Sequence, residues 1–183
     1  MIKKIVKTIV FCFIVIIVSL IGFLIWISRT NKIQNKDNPV EYVIENPDKK
    51  AIVIYQKGRT DYPLEVADYI ADKLSNDGYQ VLVNHPGDFL PTDLSEYDLI
   101  MFGTPVYAST VSSVLETYIK SVTNFGDAKV IYYITGMRTG GEELDIIPET
   151  FSEIPITAII KIDKSEFEQG LLSGQLDEIL QKE

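Results

Sequence analysis

Three short stretches carry residue types able to hold a small anionic or aromatic ligand. The first is Gln56, Lys57, Gly58, Arg59, Thr60 and Asp61. A glycine between two cations, followed by a hydroxyl, offers backbone N–H groups and positive charge to a phosphate. It also reads as an ordinary connecting loop. The second is Gly103, Thr104, Pro105, Val106, Tyr107 and Ala108. A tyrosine placed there can cover an aromatic ring or cap the core. The third runs through Thr135, Gly136, Met137, Arg138, Thr139, Gly140 and Gly141. Its three glycines permit close backbone approach to a ligand, or a plain turn. Elsewhere the chemistry is thin. His85 is the only histidine and Cys12 the only cysteine. No zinc or iron–sulfur ligand set is available, no EF-hand spacing occurs, and no metal is expected. No Ser–His–acid set is readable, so catalytic residues are unknown. His85 reads as a solvated turn residue, and the acidic pairs Glu142–Glu143 and Asp177–Glu178 as solvated faces.

Alternating strands and helices are needed to position these loops. Residues 51–55 are continuously apolar, as a central parallel strand is when both faces are covered. Ala67, Ile70, Ala71 and Leu74 follow at helical spacing, with Pro63 in the first turn and Gly78 past the end. Further strands are expected at 80–84, 98–102, 129–134 and 156–162. Val111, Val114, Leu115, Tyr118, Ile119 and Val122 form a second helical stripe, capped by Ser109 or Thr110. Residues 86–97 leave room for about one turn of helix, and 142–153 show no clear stripe. A last amphipathic helix is expected over 165–182, weakened by Gly170 and Gly174. The pattern predicts an α/β fold, an open parallel sheet with helices on both faces. Ligands then bind outside the carboxyl ends of the strands, where all three loops emerge.

Charge divides the chain in two. Residues 1–36 hold six basic and no acidic residues, which leaves 11 basic and 26 acidic in 37–183, a net charge near −15. Such a domain repels phosphate backbones, so no nucleic-acid partner is expected. Residues 8–27 are uncharged and apolar, about the length that crosses a bilayer as a helix. Trp26 sits where an interfacial aromatic belongs. The run exceeds a signal-peptide core and ends without a small-residue cleavage site, so a retained anchor is favoured over a cleaved leader. Lysines and arginines flank it on both sides, tilting the domain to the outer face by one charge; its side is left open. The expected division is a basic flank at 1–7, a transmembrane helix at 8–27, a tether at 28–48 and one domain at 49–183. Within the tether, the alternation at Val40, Tyr42, Val43 and Ile44 suggests a segment lying against the domain.

Residues 51–182 resemble the flavodoxin-like family. The resemblance rests on Tyr97-Asp-Leu-Ile-Met-Phe-Gly-Thr-Pro-Val-Tyr-Ala108, similar to the family's third strand running into its second flavin loop. Tyr55 with the loop behind it matches the first loop, and Thr135-Gly136 the third. The resemblance implies a doubly wound five-stranded parallel sheet in the order 2-1-3-4-5, here preceded by one transmembrane helix. It also implies an FMN cofactor held by Lys57, Gly58, Arg59, Thr60, Asp61, Thr104, Pro105, Val106, Tyr107, Ala108, Thr135, Gly136, Met137, Arg138 and Gly140. The family's phosphate loop reads Ser/Thr-x-Thr-Gly-x-Thr, whereas here only Thr60 supplies a hydroxyl. Met137 and Arg138 stand where many relatives place a stacking aromatic, which leaves Tyr107 as the ring neighbour. The expected role is a membrane-anchored electron-transfer flavoprotein serving a basic redox partner or a quinone in the cell membrane. If it is an enzyme, it is an FMN-dependent oxidoreductase. The alternative is a flavin-free interaction module at the membrane, motivated by the altered first loop.

Overall fold

The computed structural model describes residues 2–30, 40–42, 47, 49–107, 110–136 and 142–181. Helix α1 spans Ile2–Thr30 and is long and apolar enough to cross a membrane. The strands are β1 (Val40–Tyr42), β2 (Lys49–Tyr55), β3 (Tyr79–Asn84), β4 (Leu99–Pro105), β5 (Lys129–Gly136) and β6 (Ile156–Asp163). The helices between and after them are α2 (Tyr62–Asn76), α3 (Ser113–Ser121), α4 (Glu142–Thr150), α5 (Lys164–Glu168) and α6 (Leu172–Gln181).

The sheet order is β1-β3-β2-β4-β5-β6. Strands β2 to β6 are mutually parallel and reproduce the expected order. Strand β1 adds a sixth, antiparallel edge strand, pairing Val40 with Val83 and Tyr42 with Val81. It falls in the segment read as tether, where three residues of alternation are too few to distinguish a strand from an extended linker.

Because strand side chains alternate, the uniformly apolar strands supply two cores. Ala51, Val53, Met101, Ile131 and Tyr133 face one side and pack with Val66, Ile70 and Leu74 of α2 and Leu172 and Leu176 of α6. Ile52, Ile54, Ile100, Phe102, Tyr132 and Ile134 face the other, against Leu115 and Ile119 of α3 and Ile147 of α4. The result is three layers, with both faces of the parallel sheet covered.

Several boundaries differ from the sequence reading. Helix α3 begins at Ser113, and its cap is Ser112, whose hydroxyl accepts the Leu115 N–H at 3.3 Å. Helix α4 forms where no stripe was legible: one buried contact pair, Ile147 and Phe151, ties this short segment to the core. The expected last helix is broken into α5 and α6 at Gly170, which adopts φ +76°. That backbone conformation ends a helix and suits glycine.

Candidate functional site

Strands β2, β4 and β5 are parallel neighbours, so their carboxyl ends lie at one edge of the sheet. Backbone bonds hold them there. The Gln56 N–H donates to the Gly103 carbonyl at 2.8 Å, and the Val106 N–H to the Thr135 carbonyl at 3.1 Å. A buried polar network underlies the edge. The Ser112 hydroxyl donates to Gln56 Oε1 at 2.9 Å, and the Ser112 N–H donates to Thr104 Oγ1 at 3.2 Å. Gln56, Thr104 and Ser112 are each at most 1% exposed. These three buried polar residues bond one another and lock the first loop, the second strand end and the start of α3 together.

Above this network the first and second loops touch directly. The Arg59 N–H donates to Tyr107 Oη at 2.8 Å. Tyr107 in turn is pinned by Thr110, whose N–H and hydroxyl both donate to the Tyr107 carbonyl, at 3.1 and 2.5 Å. Gly58 lies beneath the tyrosine. A Cβ there would stand 2.9 Å from Pro63 Cγ and 3.0 Å from Tyr107 Oη, so only glycine fits without displacement. The Arg59 guanidinium lies over the Trp26 ring, 4.2 Å from its centre, a cation–π contact between this loop and α1.

Of the anticipated residues, Lys57 and Gly58 are half-buried, and Arg59, Thr60 and Asp61 are exposed. Thr104 and Pro105 are buried, Val106 and Tyr107 half-buried, Thr135 buried and Gly136 half-buried. Ala108, Met137, Arg138 and Gly140 lie outside the described residues. The Thr135 hydroxyl is buried with no hydrogen-bond partner among the described residues. At the start of α2, Asp61 sets a carboxylate beside the helix start and Pro63 lacks an N–H. That helix terminus is a poor phosphate cradle, and donors must come from the loop itself.

His85 departs from its expected role. It is 7% exposed, its Nδ1 lies 3.1 Å from the Tyr55 carbonyl, and its ring packs 4.5 Å from that of Tyr55. The residue follows β3 at the same edge, and the neighbouring strand end covers it. The sequence reading missed Ser112 altogether, and named Gln56, Thr110 and Trp26 without their contacts at this edge. Gln56 was detectable as a polar residue placed directly after an uninterrupted apolar strand. Trp26 gave no such signal, since its partner is 33 positions away.

Among solved structures, a flavoprotein in complex with FMN from Lactobacillus acidophilus NCFM superposes with a TM-score of 0.51 at 15% identity, covering 66% of this chain and 97% of that one. A flavodoxin from the domain Archaea gives 0.51 at 17% identity over 66% and 90% of the two chains. A short-chain flavodoxin associated with a bacterial microcompartment gives 0.51 at 17% identity over 63% and 85%. This chain has the flavodoxin-like fold. No protein-family model matches the chain, and no curated protein matches it. On the flavodoxin-like fold the three strand ends coincide with the edge at which doubly wound sheets take ligands. Their donors suit an anion with an attached ring: loop N–H groups, Lys57 and the Thr60 hydroxyl for charge, Tyr107 for a ring face, and the unpartnered Thr135 hydroxyl for a buried acceptor.

Proposed function

We propose that the chain is a membrane-anchored, FMN-binding redox protein that passes electrons to or from a membrane or quinone-linked partner. In this reading α1 spans the bilayer through residues 8–27 and residues 49–183 form the working domain. One observation carries the reading. The carboxyl ends of three neighbouring strands of a flavodoxin-like fold open at one sheet edge, where the buried Thr135 hydroxyl has no hydrogen-bond partner among the described residues. A buried hydroxyl without a partner costs free energy, and a ligand that bonds it removes that cost. FMN supplies the redox chemistry when bound. The protein's residues supply position and charge: Lys57 and Thr60 toward a phosphate, Tyr107 toward the ring. The acidic domain favours a basic partner.

A second reading, a flavin-free interaction module, draws on the Asp61–Pro63 start of α2 and on the Tyr107 hydroxyl closing the first loop. Titrating FMN fluorescence with the purified full chain separates the two. Quenching that Thr60→Ala weakens by roughly 1–3 kcal/mol supports the redox reading, that being the range for losing a charge-assisted hydrogen bond. Unquenched FMN at tens of micromolar protein supports the module.

A further inference from the structure

We infer that strand β1 and the end of α1 turn the loop-bearing edge of the sheet toward the bilayer, so that the site takes its partner from the lipid headgroup layer. The inference rests on the anchor reading above and is independent of flavin. Its first support is topological. Strand β1 is antiparallel to β3, with Val40 opposite Val83 and Tyr42 opposite Val81. Its first residue therefore lies at the carboxyl end of the parallel strands. The chain coming from α1 enters the domain at the site edge rather than at the opposite one. A parallel β1 on the same three partners would have brought it in opposite Val81, about 7 Å further from the site edge.

The second support is the length of the connection. Residues 31–39 are all that separate Thr30 from Val40, and nine residues span at most roughly 30 Å. The third is the contact already described. Trp26, an interfacial residue of α1, lies against Arg59 of the first loop. Of the α1 side chains described, only Ile27, one residue further on, is half-buried. The domain thus meets α1 at the end of the helix and through the site edge.

The fourth support is the distribution of exposed apolar side chains. Outside α1, the large ones among the described residues are Val40 at 52%, Phe89 at 45% and Leu171 at 51% exposure. Val40 opens β1 and Phe89 follows β3, both at the site edge. Lys57 and Arg59 bring basic charge to the same edge, beside Asp61 and Asp88, while Lys164 pairs there with Glu168 at 3.8 Å. An acidic domain approaches anionic lipid most readily through its basic side chains. A reactant reaching the loops in this orientation has its reacting group in the headgroup layer and its tail in the membrane.

The test uses the full chain, without added FMN, in bilayer discs containing a nickel-chelating lipid. Cys12→Ser provides a cysteine-free background. Spin labels are placed singly through Phe89→Cys at the site edge, and through Asp127→Cys or Asp77→Cys in exposed turns at the opposite edge. The inference predicts relaxation by headgroup nickel several-fold stronger at position 89 than at 127 or 77. Equal relaxation at the three positions, or stronger relaxation at 127 or 77, overturns it. The FMN titration is a separate measurement, so either reading can fail while the other stands.

Discussion

Replacing Tyr107 by phenylalanine isolates one hydroxyl. That hydroxyl accepts the Arg59 N–H at 2.8 Å from a half-buried position. A neutral hydrogen bond of this kind contributes about 1 kcal/mol net, so Tyr107→Phe lowers the stability of the ligand-free protein by about that amount. The same N–H belongs to the loop proposed to hold the FMN phosphate, and the hydroxyl must give it up before a phosphate oxygen can take it. Removing the competitor therefore strengthens FMN binding about fivefold, the equivalent of about 1 kcal/mol. Tyr107→Ala behaves in the opposite sense. It also removes the ring, whose stacking contributes roughly 0.5–1.5 kcal/mol, and it opens the space above Gly58. Thermal unfolding of the ligand-free protein and FMN fluorescence titration of both variants supply the data. Weaker FMN binding by Tyr107→Phe would refute the reasoning, because the hydroxyl would then be a ligand donor rather than a competitor. Unchanged stability and affinity would show the contact to be inert.

Gly103→Ala is expected to cost about 3 kcal/mol or to prevent folding, because the new Cβ would lie 2.0 Å from Tyr133 Cζ inside a fully buried strand. Adding Tyr133→Val should recover part of the loss, as denaturant unfolding of the double variant will report. Thr135→Val removes the unpartnered hydroxyl at nearly constant shape. With no partner for that hydroxyl among the described residues, the change should stabilise the ligand-free protein by roughly 1 kcal/mol while weakening FMN, the pair of signs expected of a ligand-directed hydroxyl. Burial holds the Tyr132 and Tyr133 phenols protonated well above the ordinary value of 10.0. The folded chain therefore keeps protons that the unfolded chain releases. Stability is full below pH 10 and falls above it, by up to about 1.4 kcal/mol per pH unit for each phenol. Denaturant midpoints at rising pH will report this slope, and Tyr132→Phe should make it shallower.

The parallel sheet was legible because strands covered on both faces need no polar residues, and residues 51–55 and 99–102 carry none. Helix α2 was legible for a related reason, with Pro63 and Gly78 marking its ends. Helix α4 was not, because a few apolar contacts, Ile147 and Leu144 among them, suffice to hold nine residues against a core when the sheet supplies the other side. Strand β1 was not identified as a strand because three alternating residues carry little periodicity, although the alternation itself was visible. At the site, the loops could be located from strand ends alone. Their internal bonding could not. Tyr107 reaching Arg59 and Gln56 meeting Ser112 join positions 48 and 56 residues apart, and pairs at such separations leave no local pattern. His85 misled for the same reason: its sequence neighbours Pro86 and Gly87 spell a turn, while Tyr55 buries its ring from another strand.

Stepwise reduction of the full chain mixed with equimolar FMN, followed by visible absorption, tests the central claim most directly. A flavodoxin-like domain that holds FMN at residues 57–61, 104–107 and 135 predicts a flavin spectrum shifted from that of free FMN and reduction potentials displaced from the free cofactor's. A spectrum and potentials identical to those of free FMN, with all flavin passing a filter that retains the protein, would contradict it.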